Sequence, residues 1–344
     1  MEGADTQACG RCGKPPLFYA IENHHPPMLR WLLEIGLDPE QTDQFGATCL
    51  ITAVESDDLE CVQILLERGV KVDRVSNDES AIGHVVSREV ALCLLQAGAD
   101  PAGVTDEGRR VLVGLKAESD EAPLKNVSRE EFFRARTRRF GVSNPEVMQE
   151  PFWVAMIRSV VCGYTANESL GVPSSYDAGP VWCAKRFGQS LTLLPDGRAV
   201  SIGGEHEDHY DPDFCIYNDV FVHDPDGTIR ILSYPEAVFP PTDFHSASLV
   251  DNTIYIIGAL GYGKERSPQT PVYRVDLDTW KIEKVEPTGE SPGWIYGHRA
   301  LLISATEILV RGGTVVKSVD GKDVHSENPR DCILDVGSMQ WRRS

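Results

Sequence analysis

The 344-residue sequence is short of positive charge: 33 Lys and Arg stand against 52 Asp and Glu, a formal net charge of −19. Nucleic acids and anionic membrane surfaces are held by basic patches, so the balance argues against either as a general partner. It favours basic partners, or simply solubility. Long apolar runs are also missing. The longest, Phe152 to Val161, carries Arg158 and is far from the roughly 20 residues that span a bilayer. The first residues, MEGADTQACG, lack the basic flank and apolar core of a secretory signal. No Gly-x-Ser-x-Gly elbow, P-loop, His-Glu-x-x-His or dinucleotide fingerprint occurs. The nine cysteines are odd in number and scattered, unlike a disulfide framework. Most lie inside apolar runs, as small buried residues of a reducing compartment do, so the cytoplasm is the expected location.

What is present is unevenly spread. Residues 1–124 hold 10 basic and 22 acidic side chains, residues 125–185 hold 8 and 6, and residues 186–344 hold 15 and 24. Two kinds of repeat lie on either side of the basic stretch. The first is helical. Segments from Pro15, Thr48 and Ser80 align, with Gly36, Gly69 and Gly98 spaced 33 and 29 residues apart, each after a Leu-Leu pair. Val62, Leu65 and Leu66 fall at helical spacing, and a glycine just past such a helix closes it in the left-handed conformation. The third unit is shorter, so its first helix is expected to be clipped. A start at Gly108 fits a terminal half unit.

These segments resemble the ankyrin repeat. Pro16-Leu17-Phe18-Tyr19-Ala20 is similar to the Thr-Pro-Leu-His-x-Ala signature, with Pro15 at the Thr position and Phe18 at the His position. Thr48-Cys49-Leu50-Ile51-Thr52-Ala53 keeps the Thr, Leu and Ala. The resemblance implies a binding scaffold whose partners meet the turn tips and inner helix face. The tips here carry Asp43, Gln44 and Phe45, then Ser76, Asn77 and Asp78, then Asp106 and Glu107. Acidic tips also serve merely to solvate a solenoid edge.

The second repeat set is β-rich. Segments from Arg186, Asp243 and Ile295 each lead to a strand ending in a glycine pair or Gly-Ala, and Gly203, Gly258 and Gly312 are 55 and 54 residues apart. Each unit reads as four antiparallel strands, with hairpin turns at Pro195-Asp196-Gly197 and Asp251-Asn252. The units look like the kelch repeat, with Trp280 and Trp341 near the last strands of the second and third units. The second unit has Gly-Ala in place of Gly-Gly, and the first lacks the Trp. Three units are visible, whereas closed propellers have about 4–8 blades. The expected fold is therefore α+β and multidomain. An ankyrin α-solenoid covers 14–120, a helical bridge and loop cover 121–185, and about three kelch-type propeller blades in an open or incomplete ring cover 186–344. A homodimer completing the propeller is one way to close it. Galactose-oxidase-like propellers share this architecture, but no residues here match their copper site.

In the bridge, Ser128 and Glu131 form a capping box ahead of a helix bearing Arg134, Arg136, Arg138 and Arg139. Intramolecular neutralisation is favoured over an acidic partner as their role. A second helix is expected from Pro145 to Tyr164.

The richest polar stretch runs from Glu205 through His206, Glu207, Asp208, His209 and Asp211 to Asp213. Blade topology places it near Asp243, His245 and His298, where sequential first strands begin. His206 and His209 are the weak candidates for a metal; a solvated loop or contact patch is the plainer reading, and hydrogen bonding to the blade is the expected role of His245 and His298. Cys9-Gly10-Arg11-Cys12 has a zinc-knuckle look without a second pair. No catalytic residue and no cofactor are assigned. The expected function is a non-catalytic protein–protein scaffold acting through the tips and one blade face, in a narrower version an acidic neutraliser of a basic protein. The alternative is a metal-dependent enzyme or sugar binder using the 205–213 loop.

Overall fold

A computed structural model describes residues 14–76, 79–100, 103–115, 120–173, 179–207 and 214–344. The chain divides into two compact units, Met1–Glu118 and Ser119–Ser344.

The first unit is a row of helix pairs. Helices α1 (Pro16–Glu22) and α2 (Pro26–Glu34) form the first pair, α3 (Cys49–Glu55) and α4 (Leu59–Glu67) the second. Pairs stack through Leu17, Ile21, Leu29, Ile51, Val54, Val62 and Leu65, all buried. The starts of α3 and α4 are capped by side chains. The Thr48 hydroxyl accepts the Ile51 N–H at 3.1 Å, and the Asp58 carboxylate accepts the Cys61 N–H at 3.0 Å. Gly36, Gly69 and Gly98 all have left-handed φ after their helices. In the third unit a single 3₁₀ turn, Ala81–His84, stands where the first helix would be, followed by α5 (Arg88–Gln96). Helix α6 (Asp106–Leu112), capped by Thr105, ends the row.

The second unit holds three antiparallel meanders of four strands each. The first comprises 190–193, 199–202, 220–223 and 229–233; the second 246–250, 253–257, 272–276 and 282–285; the third 299–302, 307–311, 332–335 and 340–343. They stack face to face in chain order. Val200, Ile202, Val220, Val222 and Leu232 of the first sheet share one core with Ile254, Ile256, Tyr273, Val275 and Ile282 of the second. The opposite face of the second sheet, with Tyr255, Ile257 and Val272, shares a core with Ile308, Val310, Cys332, Leu334 and Trp341 of the third. Alternation along each strand puts an apolar residue on both faces of the middle sheet.

The first glycine of each repeat marks where the next sheet touches. A Cβ on Gly203 (φ +59°) would lie 2.2 Å from the Thr242 carbonyl oxygen, and one on Gly258 (φ +75°) 2.3 Å from that of Ile295. Beside them the N–H groups of Gly204 and Ala259 donate to those same carbonyls at 2.8 and 2.9 Å. Gly312 (φ +63°) has nothing within 4 Å, because no fourth sheet follows among the described residues. Ala259 is tolerated because its φ is not left-handed; in the other two repeats the second glycine is needed as well, since a Cβ on Gly204 (φ +92°) would lie 2.8 Å from the Gln189 Cβ and one on Gly313 (φ +79°) 2.7 Å from the Tyr296 carbonyl oxygen.

The segment expected as a bridge folds with the sheets. Residues Glu146–Met148 add a fifth strand to the first sheet, beside Ile229–Ser233. This corrects the expectation of one helix from Pro145 to Tyr164. The residue before Pro151 is held extended, so no helix runs through it; α8 (Pro151–Ser159) starts there instead, with proline in its first turn. Val160 turns left-handed, and α9 (Gly163–Ser169) follows. The capping box of Ser128 and Glu131 opens α7 (Arg129–Ala135) as expected. The arginines serve the chain itself. Arg134 and Arg139 pair with the buried Glu150 at 3.1 and 3.3 Å, and Arg138 sits over the Phe140 ring.

The outer faces of the first and third sheets differ. The first sheet's far face, with Ser201, Phe221 and Ile231, is buried. Trp182 lies against Phe221 with ring centres 5.7 Å apart and stacks on Trp153 at 4.7 Å. The third sheet's far face instead carries charge: Arg311 pairs with Asp331 at 2.7 Å and Arg342 with Glu307 at 2.6 Å. Between these pairs Leu301, 47% exposed, lies beside Leu309 and Ile333 on the same face.

Candidate functional site

Two regions hold the residues singled out from the sequence. In the first unit, the tip at 43–46 is a tight turn. The Asp43 carboxylate accepts the N–H groups of Phe45 and Ala47, both at 2.9 Å, so Asp43 builds the turn. Phe45 stands out from it, 67% exposed. A two-strand hairpin, Val75–Ser76 with Glu79–Ser80, carries the next tip; Asn77 and Asp78 lie outside the described residues. Asp106 and Glu107 are exposed in the first turn of α6, where negative charge complements the helix dipole.

The second region is the loop end of the sheets. Here Asp243 and His245 lie just before the strand Ser246–Val250, and His298 just before Arg299–Leu302. The histidines stitch adjacent sheets: the His245 Nε2 shares a 2.8 Å hydrogen bond with the Ser190 hydroxyl, and the His298 Nε2 shares one with the Ser246 hydroxyl, also at 2.8 Å. Burial holds His245 down at about 3, with His298 adding to the shift, and holds His298 down at about 4. Both rings are therefore neutral near neutral pH. His206 is buried and its Nδ1–H donates to the Lys185 carbonyl at 2.7 Å. Asp208, His209, Asp211, Asp213, Cys9 and Cys12 lie outside the described residues. Among the described residues no group of three or more His, Cys, Asp and Glu is placed to hold a metal ion.

Two residues of the predicted set do meet. The Asp243 side chain is fully buried; its Oδ1 accepts the Gly261 N–H at 2.6 Å, and the Glu205 carboxyl contacts it. Desolvation together with Asp243 pushes Glu205 up to about 7, and burial raises Asp243 as well. Glu207 beside them is exposed.

Three features escaped the sequence reading. Arg186 and Asp219 form a buried ion pair under the rings of Trp182, Tyr217 and Phe221. Phe187, opposite Glu205 in an antiparallel bridge, is 59% exposed. Phe244 is left-handed (φ +48°) where the other two repeats have Gly188 and Gly297. Aligning the repeats on Ser190, Ser246 and Arg299 places Phe187 and Asp243 at one register, a signal that could have found Phe187.

With this geometry in view, the N-terminal unit is an ankyrin-repeat array: the family model for ankyrin repeats in three copies matches residues 1–76 and 17–106. The human B-cell lymphoma 3 protein is 37% identical over 90 residues, which cover 24% of this chain and 20% of that protein. The Drosophila melanogaster transient receptor potential channel pyrexia is 30% identical over 102 residues, covering 28% of this chain and 11% of the channel. The chain thus matches a fifth or less of the length of each relative. No helix among the described residues is long and apolar enough to cross a membrane.

Proposed function

We propose that the chain is a non-catalytic scaffold that binds partner proteins through its ankyrin tips and through the loop end of its sheets. The ankyrin array carries the reading, since ankyrin repeats are a protein-interaction module, and here one tip presents an apolar side chain, Phe45, on a turn that Asp43 builds. Exposed acids at Glu107 and Glu207 favour a basic partner. The sheet stack is read as kelch-type blades in an open fan of three. Supporting this are the four-strand meanders, the recurrent glycine at each inter-sheet contact, and Trp280 and Trp341 in the cores between sheets. The seven cysteines among the described residues are free, five of them buried, which suits the cytoplasm. The test is retention of partner proteins on the immobilised full chain. Phe45→Ala and Glu107→Lys, which leave Asp43 and the Thr105 cap intact, should each lower retention. Unchanged retention in the double variant would contradict a role for the tips.

A further inference from the structure

Helix α2 has two apolar faces. Leu29, Leu32 and Leu33 point into the first unit and are buried. Met28, Trp31 and Ile35, the last just past the helix end, follow one another at spacings of three and four residues on the other side. With Tyr19 of α1 they are between 38% and 45% exposed. A helix at the edge of a domain needs one apolar stripe, so the fold does not account for the second. The repeat supplies a comparison. The first two helix pairs are offset by 33 residues, the spacing of Gly36 and Gly69, so Tyr19, Met28 and Trp31 stand where the second pair has Thr52, Cys61 and Ile64. All three of those are buried. The second pair has a pair stacked before it, α1 on α3 and α2 on α4, and the first has none among the described residues. Arg30, about 130° round α2 from the middle of the stripe, pairs with Glu67 of α4 at 3.1 Å, so the stripe is turned away from the second pair. The exposed side chains therefore occupy positions at which one helix pair receives another.

Charge and spacing select the occupant. From Pro26 to Ile35 the charged residues are Arg30 and Glu34, which cancel, although residues 1–124 hold 10 basic and 22 acidic side chains. A strongly basic partner finds no net charge to pair with here, and a second acidic copy finds none to repel it. The stripe is also self-complementary. With two α2 helices antiparallel about a two-fold axis at Trp31, the two indoles meet at the axis, and Met28 of each copy lies opposite Ile35 of the other. We infer that two copies of this chain pair through Met28, Trp31 and Ile35, with Tyr19 at the margin. Each first helix pair then closes the open end of the other copy's ankyrin stack. A two-fold contact uses the same patch on both copies, so assembly stops at the dimer. The contact is one helix pair wide, at the small end of interface sizes, so the dimer dissociates reversibly.

Sedimentation of the full chain, followed from about 1 to about 300 µM, covers the range in which weak specific contacts dissociate. The average mass should climb from that of the monomer, 38.0 kDa, towards twice that value and no further. Trp31→Glu sets two like charges at the axis and should raise the dissociation constant about thirtyfold or more, as loss of an anchoring aromatic does. Met28→Glu should raise it as well. Both side chains are exposed and α2 keeps its buried face, so the fold survives either change. Phe45→Glu, on a turn tip outside the stripe, should leave the dimer unchanged. The inference is overturned if the chain stays monomeric throughout, in which case a foreign helix or another part of the chain covers the stripe. It is overturned also if Trp31→Glu and Met28→Glu both dimerise like the unaltered chain, or if the mass continues past a dimer. A dimer kept in both variants and lost in Leu301→Glu would place the contact on the third sheet and overturn it likewise.

Discussion

Replacing Gly258 by alanine should be far more damaging than the same change at Gly312, although both glycines occupy one repeat position and both are left-handed, at φ +75° and +63°. The shared part of the cost is conformational: an L-residue in the left-handed region loses about 1–2 kcal/mol. At Gly312 that is the whole effect, because nothing lies within 4 Å of the new Cβ. At Gly258 the Cβ would come 2.3 Å from the Ile295 carbonyl oxygen, a backbone atom that cannot rotate away. The sheets must part locally, and the 2.9 Å bond from the Ala259 N–H to that carbonyl is stretched or lost. Overpacking costs about 1–3 kcal/mol and an unsatisfied buried group about 1–3 kcal/mol. Gly258→Ala should therefore lose about 2–6 kcal/mol more than Gly312→Ala, the sum of those two terms. Urea titration of the full chain measures this through tryptophan fluorescence, since five of the six tryptophans lie beyond residue 150. Comparable losses at the two positions would refute the argument that this glycine exists to admit the next sheet.

Asp219→Asn leaves Arg186 charged beneath three aromatic rings without its partner, and denaturant titration should show a loss of about 3–5 kcal/mol, with a loss below about 1 kcal/mol counting against a structural role for the pair. Thr48→Ala removes the cap of α3 and should cost about 1 kcal/mol in the ankyrin transition followed by circular dichroism. Stability should also respond to pH in a defined sense. His245 and His298 stay neutral down to about 3 and about 4 in the folded chain, whereas an unfolded histidine takes a proton near 6.5. Their contribution is complete above that pH and is lost as the pH falls, by about 2 kcal/mol each at pH 5. Glu205, raised to about 7, acts oppositely, its contribution being lost as pH rises through 7, and the raised Asp243 acts in the same sense. Glu205→Gln should therefore lose more stability than the unaltered chain between pH 7 and pH 5. An equal or smaller loss would mean that the carboxyl pair does not hold its proton in the folded state.

The repeats were legible in the sequence because each imposes a periodic local demand. Gly36, Gly69 and Gly98 end helices, and Gly203 and Gly258 admit the next sheet, so their spacing exposes the unit length. The clipped first helix of the third unit and the hairpin turn after Val250 followed from the same local chemistry. The segment between the repeats was harder. Glu146–Met148 is a strand because Ile229–Ser233 offers it a free edge 83 residues later, and nothing in three residues announces that pairing. The Arg186–Asp219 pair is likewise hidden, since its 33-residue separation has no period behind it. At the loop end, the sequence offered a meeting of the 205–213 loop with Asp243 only as an open expectation, and the role of His206 depends on a carbonyl at Lys185 that spacing does not reveal.

The central claim is that the ankyrin tips and the loop end of the sheets are where partner proteins sit. A photo-crosslinking amino acid placed in the full chain at Phe45, at Phe187 or, as a control on an exposed strand position, at Arg274 tests it directly in cells. The account predicts discrete higher-mass adducts from Phe45 and Phe187 and none from Arg274. Adducts from Arg274 alone, or from none of the three, would contradict it.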